Sequence, residues 1–191
     1  MWVLEHAPAI KDESYITTID DYVVNIKYQL ASFQIPGRTY ENVLGSWEKI
    51  NERLLLDEQF GRQVGKGAYL KEFAAQVLAK ASTDQEKIIY AYEMIRQYMS
   101  LNGSSALYAT DNLKNAFNNR KGNAADINLL LTSLLQQLDI DAFPIALSTR
   151  SNGKLNMALP MIDKLNYVIC GVNMGESTLM LDATDRDLLP G

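Results

Sequence analysis

The residues whose types and spacing could do chemistry stand in and after residues 117–138, FNNRKGNAADINLLLTSLLQQL. A polar, turn-forming lead-in (Asn118, Asn119, Arg120, Lys121, Gly122) gives way to Asn123 and then to a strongly apolar run. A buried helix that opens behind a glycine turn suits a nucleophile or an anion, because its free N–H groups and its dipole favour negative charge there. No Cys, Ser, Thr or His occupies positions 122–128, so the expected nucleophile is missing. Two carboxylates remain. Asp126 falls in the first turn of that helix, and Asp182 ends a later strand; as a pair they could serve as general acid and base on a sugar. Each also has a plainer role, Asp126 against the helix dipole and Asp182 as a turn cap beside Thr184 and Asp185. Arg150 follows Ser148 and Thr149, where its planar donor fork can hold an acidic ligand group or stand in solvent.

Composition narrows the chemistry further. The chain has 191 residues, 47% of them apolar and 21% charged, the profile of a globular domain. A formal net charge of −5 argues against general nucleic-acid binding, which would need a basic patch. No apolar run approaches the ~18 residues of a membrane span, and residues 1–20 lack the basic start and apolar block of a signal peptide. One cysteine, Cys170, and one histidine, His6, rule out a disulfide framework, a Cys-based zinc site and a His-rich metal centre. No cofactor is implied; a carboxylate site for a hard cation stays open in principle.

The elements that must position these residues can be read from periodicity. Tyr22, Val24, Ile26, Tyr28 and Leu30 alternate with polar residues, which predicts a long half-buried strand ended by Pro36-Gly37. Ser14 to Ile19 is the only nearby segment that could pair with it, and an unpaired edge at 22–34 would favour self-association. Thr39 is a candidate cap for a helix carrying Tyr40, Val43, Leu44, Trp47, Ile50 and Leu54. A second helix is expected over about 69–80, with Leu70, Phe73, Val77 and Leu78 inward. A third opens at the capping box Thr83-x-x-Glu86, carries Ile88, Tyr92, Ile95 and Met99 on one face, and stops near Asn102-Gly103. Residues 103–121 read as a long loop with a helical turn near 113–117. In the central helix, capped by Asn123, residues Ile127, Leu130, Leu131, Leu134, Leu135 and Leu138 share a face. Strands are expected at 142–149, 164–172 and 178–182, with a hairpin-type turn at Ser151-Asn152-Gly153. Tyr40, Trp47, Tyr90, Tyr92 and Tyr98 either line a peptide or carbohydrate groove or belong to the core. Helices first, a core helix, then an antiparallel sheet make an α+β domain.

Three motifs stand in order: Gly122-x-x-x-Asp126 opening an apolar helix, Asn166-Tyr167 in LNYVI, and Asp182 in LDATD. In that order they resemble the transglutaminase-like domain, a relative of the papain-like cysteine enzymes, over about residues 40–191. Active members carry G-x-C-x-D on the helix, a His early in the next long strand and L-D-x-T on the strand after it. There the helix terminus and an imidazolium activate the thiolate, and the Asp orients the imidazole. Carried over, the nucleophile position falls on Ala124, the His position on Tyr167 and the Asp position on Asp182. A methyl group cannot attack a carbonyl, and a phenol with a pKa near ~10 is a poor base at neutral pH. Cys170 lies three residues after Tyr167 on the same strand, hence on the opposite sheet face.

The resemblance therefore implies a papain/transglutaminase-like fold with a degenerate site. It implies a non-catalytic binding or scaffolding module with a cleft ringed by Asn123, Asp126, Arg150, Tyr167 and Asp182. It further implies an envelope or periplasmic setting of the Bacteroidetes type, with residues 1–36 as the end of a preceding β-rich domain and 37–191 as the module, truncated at its C-terminal end. Flanking domains and a peptide, protein or glycan would be its partners, and nucleic acid would not. The rival expectation is an enzyme for peptide, amide or glycoside bonds that uses carboxylates or residues outside this chain. A structural spacer with a filled cleft is the third.

Overall fold

The computed structural model describes residues 16–23, 30–39, 41–42 and 45–185. Near its start, β1 (Ser32–Phe33) and β2 (Glu41–Asn42) form a short antiparallel pair. They are joined through Pro36-Gly37, where Gly37 has φ +82° and the Arg38 N–H donates to the Ile35 carbonyl at 2.9 Å. Proline followed by a residue of positive φ is the requirement of a type II turn. Then come α1 (Trp47–Leu56), the short α2 (Gly61–Val64) and a 3-10 turn, Gly67–Leu70, that runs into α3 (Lys71–Leu78). α4 (Asp84–Tyr98) opens on the full Thr83–Glu86 capping box. β3 (Ser100–Leu101) pairs in parallel with β4 (Lys121–Gly122), and α5 (Leu113–Asn119) lies between them in sequence. α6 (Ala124–Gln137) follows, then an antiparallel sheet of β5 (Ala142–Leu147), β6 (Tyr167–Asn173) and β7 (Thr178–Leu181), with β6 in the middle. The fold is mixed helix and sheet. Among the described residues no helix is long and apolar enough to cross a membrane.

α6 is the hub of the core: β4, β5, β6 and the helices α2 to α5 pack against it. Every residue from Ala124 to Leu135 is buried, so this helix is enclosed all round where the sequence pattern showed one broad apolar face. The sheet covers one side of it, and α4 and the preceding short helices cover the other. Its fully buried leucines, Leu129, Leu130, Leu131, Leu134 and Leu135, each contribute about 1.5–3 kcal/mol of transfer free energy. The polar residues on it are satisfied inside the core. Thr132 Oγ1 donates to the Asn128 carbonyl, and Ser133 Oγ donates to the Val64 carbonyl, each at 2.8 Å.

Several expectations need correction. Tyr22 and Val23 do not open a strand: they follow a 3-10 turn over Ile19–Asp21, and residues 24–29 lie outside the described residues. That turn is held elsewhere, because Asp21 accepts from the Lys154 backbone N–H at 3.0 Å and from Thr17 Oγ1 at 2.6 Å. Among the described residues of 22–34, Ser32–Phe33 is strand and pairs with Glu41–Asn42, and the rest of the edge expected over 22–34 falls mainly on residues 24–29, outside the described residues. Thr39 caps no helix. The helix begins at Trp47 behind Ser46, whose side chain accepts from the Lys49 N–H, while Glu41–Asn42 are strand; Tyr40, Val43 and Leu44 lie outside the described residues. Leu78 is 53% exposed rather than inward. The turn at 151–153 forms, with Gly153 at φ +100°, but it does not join two strands directly. It begins an irregular excursion that returns to β6, so that Leu147 pairs with Tyr167.

The glycine before α6 is required by close approach. A Cβ on Gly122 would lie 2.5 Å from Asp126 Cβ and 2.8 Å from its Oδ2. Gly122→Ala is expected to lower unfolding stability by about 1–3 kcal/mol, the cost of overpacking a filled site. Urea unfolding followed by circular dichroism measures it; an unchanged midpoint would show that the turn can yield.

Candidate functional site

The N-terminus of α6 is closed. Asn123 caps the helix, with its Oδ1 accepting from the Asp126 N–H at 2.8 Å, and Asp126 Oδ2 returns the bond by accepting from the Asn123 N–H at 2.9 Å. This is a full capping box, beyond the single cap that Asn123 suggested. Asp126 also accepts from the Thr110 N–H at 3.1 Å and from Thr110 Oγ1 at 2.8 Å. The loop before α5 lies over the terminus: the Ala124 N–H donates to the Ser104 carbonyl at 3.1 Å, and Asn123 Nδ2 donates to the Tyr108 carbonyl at 2.9 Å. Ala124 is 1% exposed, Asn123 6% and Asp126 0%. These three residues therefore line no open cleft, contrary to expectation. Their backbone and side-chain donors already have partners.

Tyr167 and Asp182 do meet. Tyr167 OH donates to Asp182 Oδ2 at 2.9 Å and lies 2.8 Å from Thr184 Oγ1. Asp182 Oδ1 accepts from Thr184 Oγ1 at 2.7 Å, from the Thr184 N–H at 3.1 Å and from Asn128 Nδ2 at 2.9 Å. Asn128 reaches the sheet as well, donating to the Val168 carbonyl at 3.0 Å and accepting from the Ala183 N–H at 2.9 Å. Tyr92 OH, from α4, donates to the Asp182 carbonyl at 3.0 Å. Ala124 stands one helical turn before Asn128 on the same helix face. Burial pushes the Tyr167 phenol up to about 12, and the nearby Asp182 charge adds to the shift while the Thr184 hydrogen bond opposes it. At neutral pH the phenol keeps its proton, so it is a donor and not a base.

The carboxylate pair is not assembled. Asp126 bonds to Thr110 and Asn123, whereas Asp182 bonds to Asn128, Tyr167 and Thr184, and a fully buried, multiply bonded Asp126 cannot approach a sugar. Arg150 is exposed in the turn after β5. Cys170 is wholly buried on the core face of β6, and burial pushes its thiol up to about 12, the state of an unreactive packed residue. Of the aromatic residues, Tyr92 is core, Trp47 donates from Nε1 to the Met157 carbonyl at 2.8 Å, Tyr98 packs against Phe73 and Phe117, and Tyr90 is exposed. His6 and Tyr40 lie outside the described residues. Among the described residues, no group of three or more His, Cys, Asp or Glu is placed to hold a metal ion.

Sequence reading missed Asn128, Thr110 and the part played by Tyr92. Asn128 left a signal, an amide one turn after Ala124 at the start of the apolar run 127–131. Thr110 left none, because its partner Asp126 is 16 residues away.

Tyr167 titrates above its ordinary value near 10, so the stability it contributes is complete below about pH 10 and is lost as pH rises through about 12. Tyr167→Phe should therefore unfold more easily than wild type by about 1 kcal/mol at neutral pH and lose less stability over that alkaline window. Parallel urea titrations at neutral and alkaline pH test this; identical alkaline slopes would mean the phenol is not held as described.

No family model and no curated protein matches the sequence. Among solved structures, a proposed protease from Parabacteroides distasonis ATCC 8503 is similar with a TM-score of 0.52 at 17% identity, over 71% of this chain and 25% of that one. A proposed cysteine protease from Cytophaga hutchinsonii is similar with a TM-score of 0.46 at 16% identity, over 74% of this chain and 46% of that one. The chain thus spans a quarter of the first protein and under half of the second. At this identity the likeness to the Parabacteroides protein is one of fold: this chain shares a mixed helix-and-sheet fold with part of that protein.

Proposed function

We propose that this chain is a transglutaminase-like domain whose catalytic site has been lost, a non-catalytic scaffolding or binding module of a larger cell-envelope protein. The observation that carries this is the Tyr167–Asp182 hydrogen bond at 2.9 Å, with the same aspartate held by Asn128, one helical turn after Ala124 in α6. In an active site of this type an imidazole would occupy the place of the phenol and a thiol the place of the methyl group. Tyr167 satisfies the aspartate as an imidazole would, but it holds its proton and cannot activate anything. The covered terminus of α6 fits the same conclusion, since an attacking group at position 124 would have neither solvent access nor a free Ala124 N–H beside it.

The former cleft acts as a structural joint, and ligands, whether peptide, protein or glycan, bind elsewhere on the surface. Residues 37–191 form the module and 1–36 the join to a preceding β-rich domain; the Asp21–Lys154 contact fits a join that rests on the module. The partners are then flanking domains of the same protein, in the periplasm or at the envelope.

Wild type is expected to hydrolyse neither peptide p-nitroanilides nor nitrophenyl glycosides above the buffer rate. Turnover that vanishes in Asp182→Asn with the circular dichroism spectrum intact would overturn the proposal. Ala124→Cys should yield a thiol that iodoacetamide labels only on unfolding, because position 124 is buried; rapid labelling of the folded variant would show an open, activatable site.

A further inference from the structure

The face of α4 turned away from Tyr92 carries a second feature. An open groove of about 850 Å³ runs between α3, α4 and the end of α5, within the usual size of a ligand site. Ile89 and Tyr90 stand on it 47% and 41% exposed. Deeper in, Phe73 meets Tyr98 edge-on, with ring centroids 4.8 Å apart and an interplanar angle of 78°.

The charge of this groove is opposite to that of the chain. Lys80 and Arg120 are exposed along it. Its one lining carboxylate, Glu93, is held through both oxygens by Arg96 at 2.8 and 2.7 Å. The groove is thus locally positive on a chain of net charge −5. Arg120 also occupies an unusual backbone position. It ends α5 at φ +53°, in the left-handed region where glycine is the low-energy choice, and its guanidinium lies 4.8 Å from the centroid of the Tyr98 ring. A side chain held there against backbone preference presents a fixed cation beside an aromatic wall.

We infer that this groove binds an extended acidic peptide segment carrying an apolar side chain. Lys80 and Arg120 receive carboxylates, with Arg120 offering a planar fork for bidentate contact. Ile89 and Met94 accept the apolar group over the buried Val77, and the flexible thioether of Met94 adapts to its shape. The side-chain amides of Gln76 and Gln97 supply both donors and acceptors, which a peptide backbone requires. A sugar is less well served. It stacks on open ring faces, and here Tyr98 is covered by Arg120 and Phe73 is packed edge-on against Tyr98, which leaves Tyr90 as the one exposed ring in the lining. The inference names the partner class for the binding-module reading and rests on that reading, but the groove lies apart from the Tyr167 site.

The test uses the whole chain and two labelled hexapeptides in fluorescence anisotropy. One alternates glutamate with leucine and phenylalanine; the other has lysine in place of every glutamate. The acidic peptide should bind and the basic one should not, and binding should weaken as salt shortens the screening length. The double variant Lys80→Glu, Arg120→Gly should weaken the acidic peptide about tenfold or more. Arg120→Gly alone should raise the melting temperature while weakening binding, because glycine relieves the left-handed backbone; that separates loss of binding from loss of fold. Equal binding of both peptides, binding unchanged in the double variant, or displacement of the acidic peptide by an oligogalacturonide with tighter affinity would each overturn the assignment. None of these outcomes bears on hydrolytic turnover, so failure here leaves the non-catalytic assignment standing, and the reverse also holds.

Discussion

One buried amide ties the two halves of this fold together. Asn128 is completely buried in the middle of α6. Both of its N–H groups and its carbonyl are engaged, with the Val168 carbonyl, the Asp182 carboxylate and the Ala183 N–H. These partners sit on the central strand β6 and on the chain just past β7. The helix is therefore fixed against the sheet in one register, which apolar packing alone would leave freer to slide. A buried polar group this well satisfied costs little to desolvate, whereas removal of any one partner leaves an unpaired group in the core. Tyr92 OH brings α4 into the same joint through the Asp182 carbonyl.

Seen from this joint, Asp182 needs no catalytic role to be where it is. It accepts four hydrogen bonds, three to Oδ1 and one to Oδ2. Two come from Thr184 and shape the turn after β7. The third, from Asn128, anchors the helix, and the fourth, from Tyr167, closes the start of β6. An aspartate that orients a histidine in an enzyme and an aspartate that holds a tyrosine in a joint do the same mechanical work. Chemistry depends on the partner, and the partner here cannot take a proton.

The parts of the fold legible in the sequence are those set by local rules. The Thr83–Glu86 box, the Asn123 cap, the faces of α4 and the strands β5 to β7 follow from periodicity and capping, and each involves residues within a few positions of one another. Motif order put Tyr167 and Asp182 in one site, and the structure joins them because the start of β6 lies beside the chain just past β7. Long-range contacts stayed hidden. Nothing in residues 104–110 announces that their carbonyls and Thr110 will cover the terminus of α6, so Asn123, Ala124 and Asp126 looked like a cleft and prove to be interior. The alternation at Tyr22, Val24 and Ile26 suggested a strand; at its start Tyr22 instead follows a 3-10 turn held by Asp21 to the backbone of Lys154, a tertiary contact that periodicity cannot foresee, while 24–29 lie outside the described residues.

On the proposed reading, loss of a nucleophile and closure of the helix terminus are physically linked. A reactive group at position 124 needs solvent, room for a substrate carbonyl and N–H groups free to stabilise developing charge. Those same features leave unpaired donors and apolar surface in water, which destabilises the apo fold. Once alanine stands at 124, nothing opposes covering the terminus. The loop can settle on it, the Ala124 N–H can bond to Ser104, and Asp126 can recruit Thr110. Each step adds stability that an active site would have to forgo. If the domain is the non-catalytic module proposed above, the buried terminus of α6 follows from the absence of a nucleophile at 124, and any binding must come from surfaces that the joint does not use.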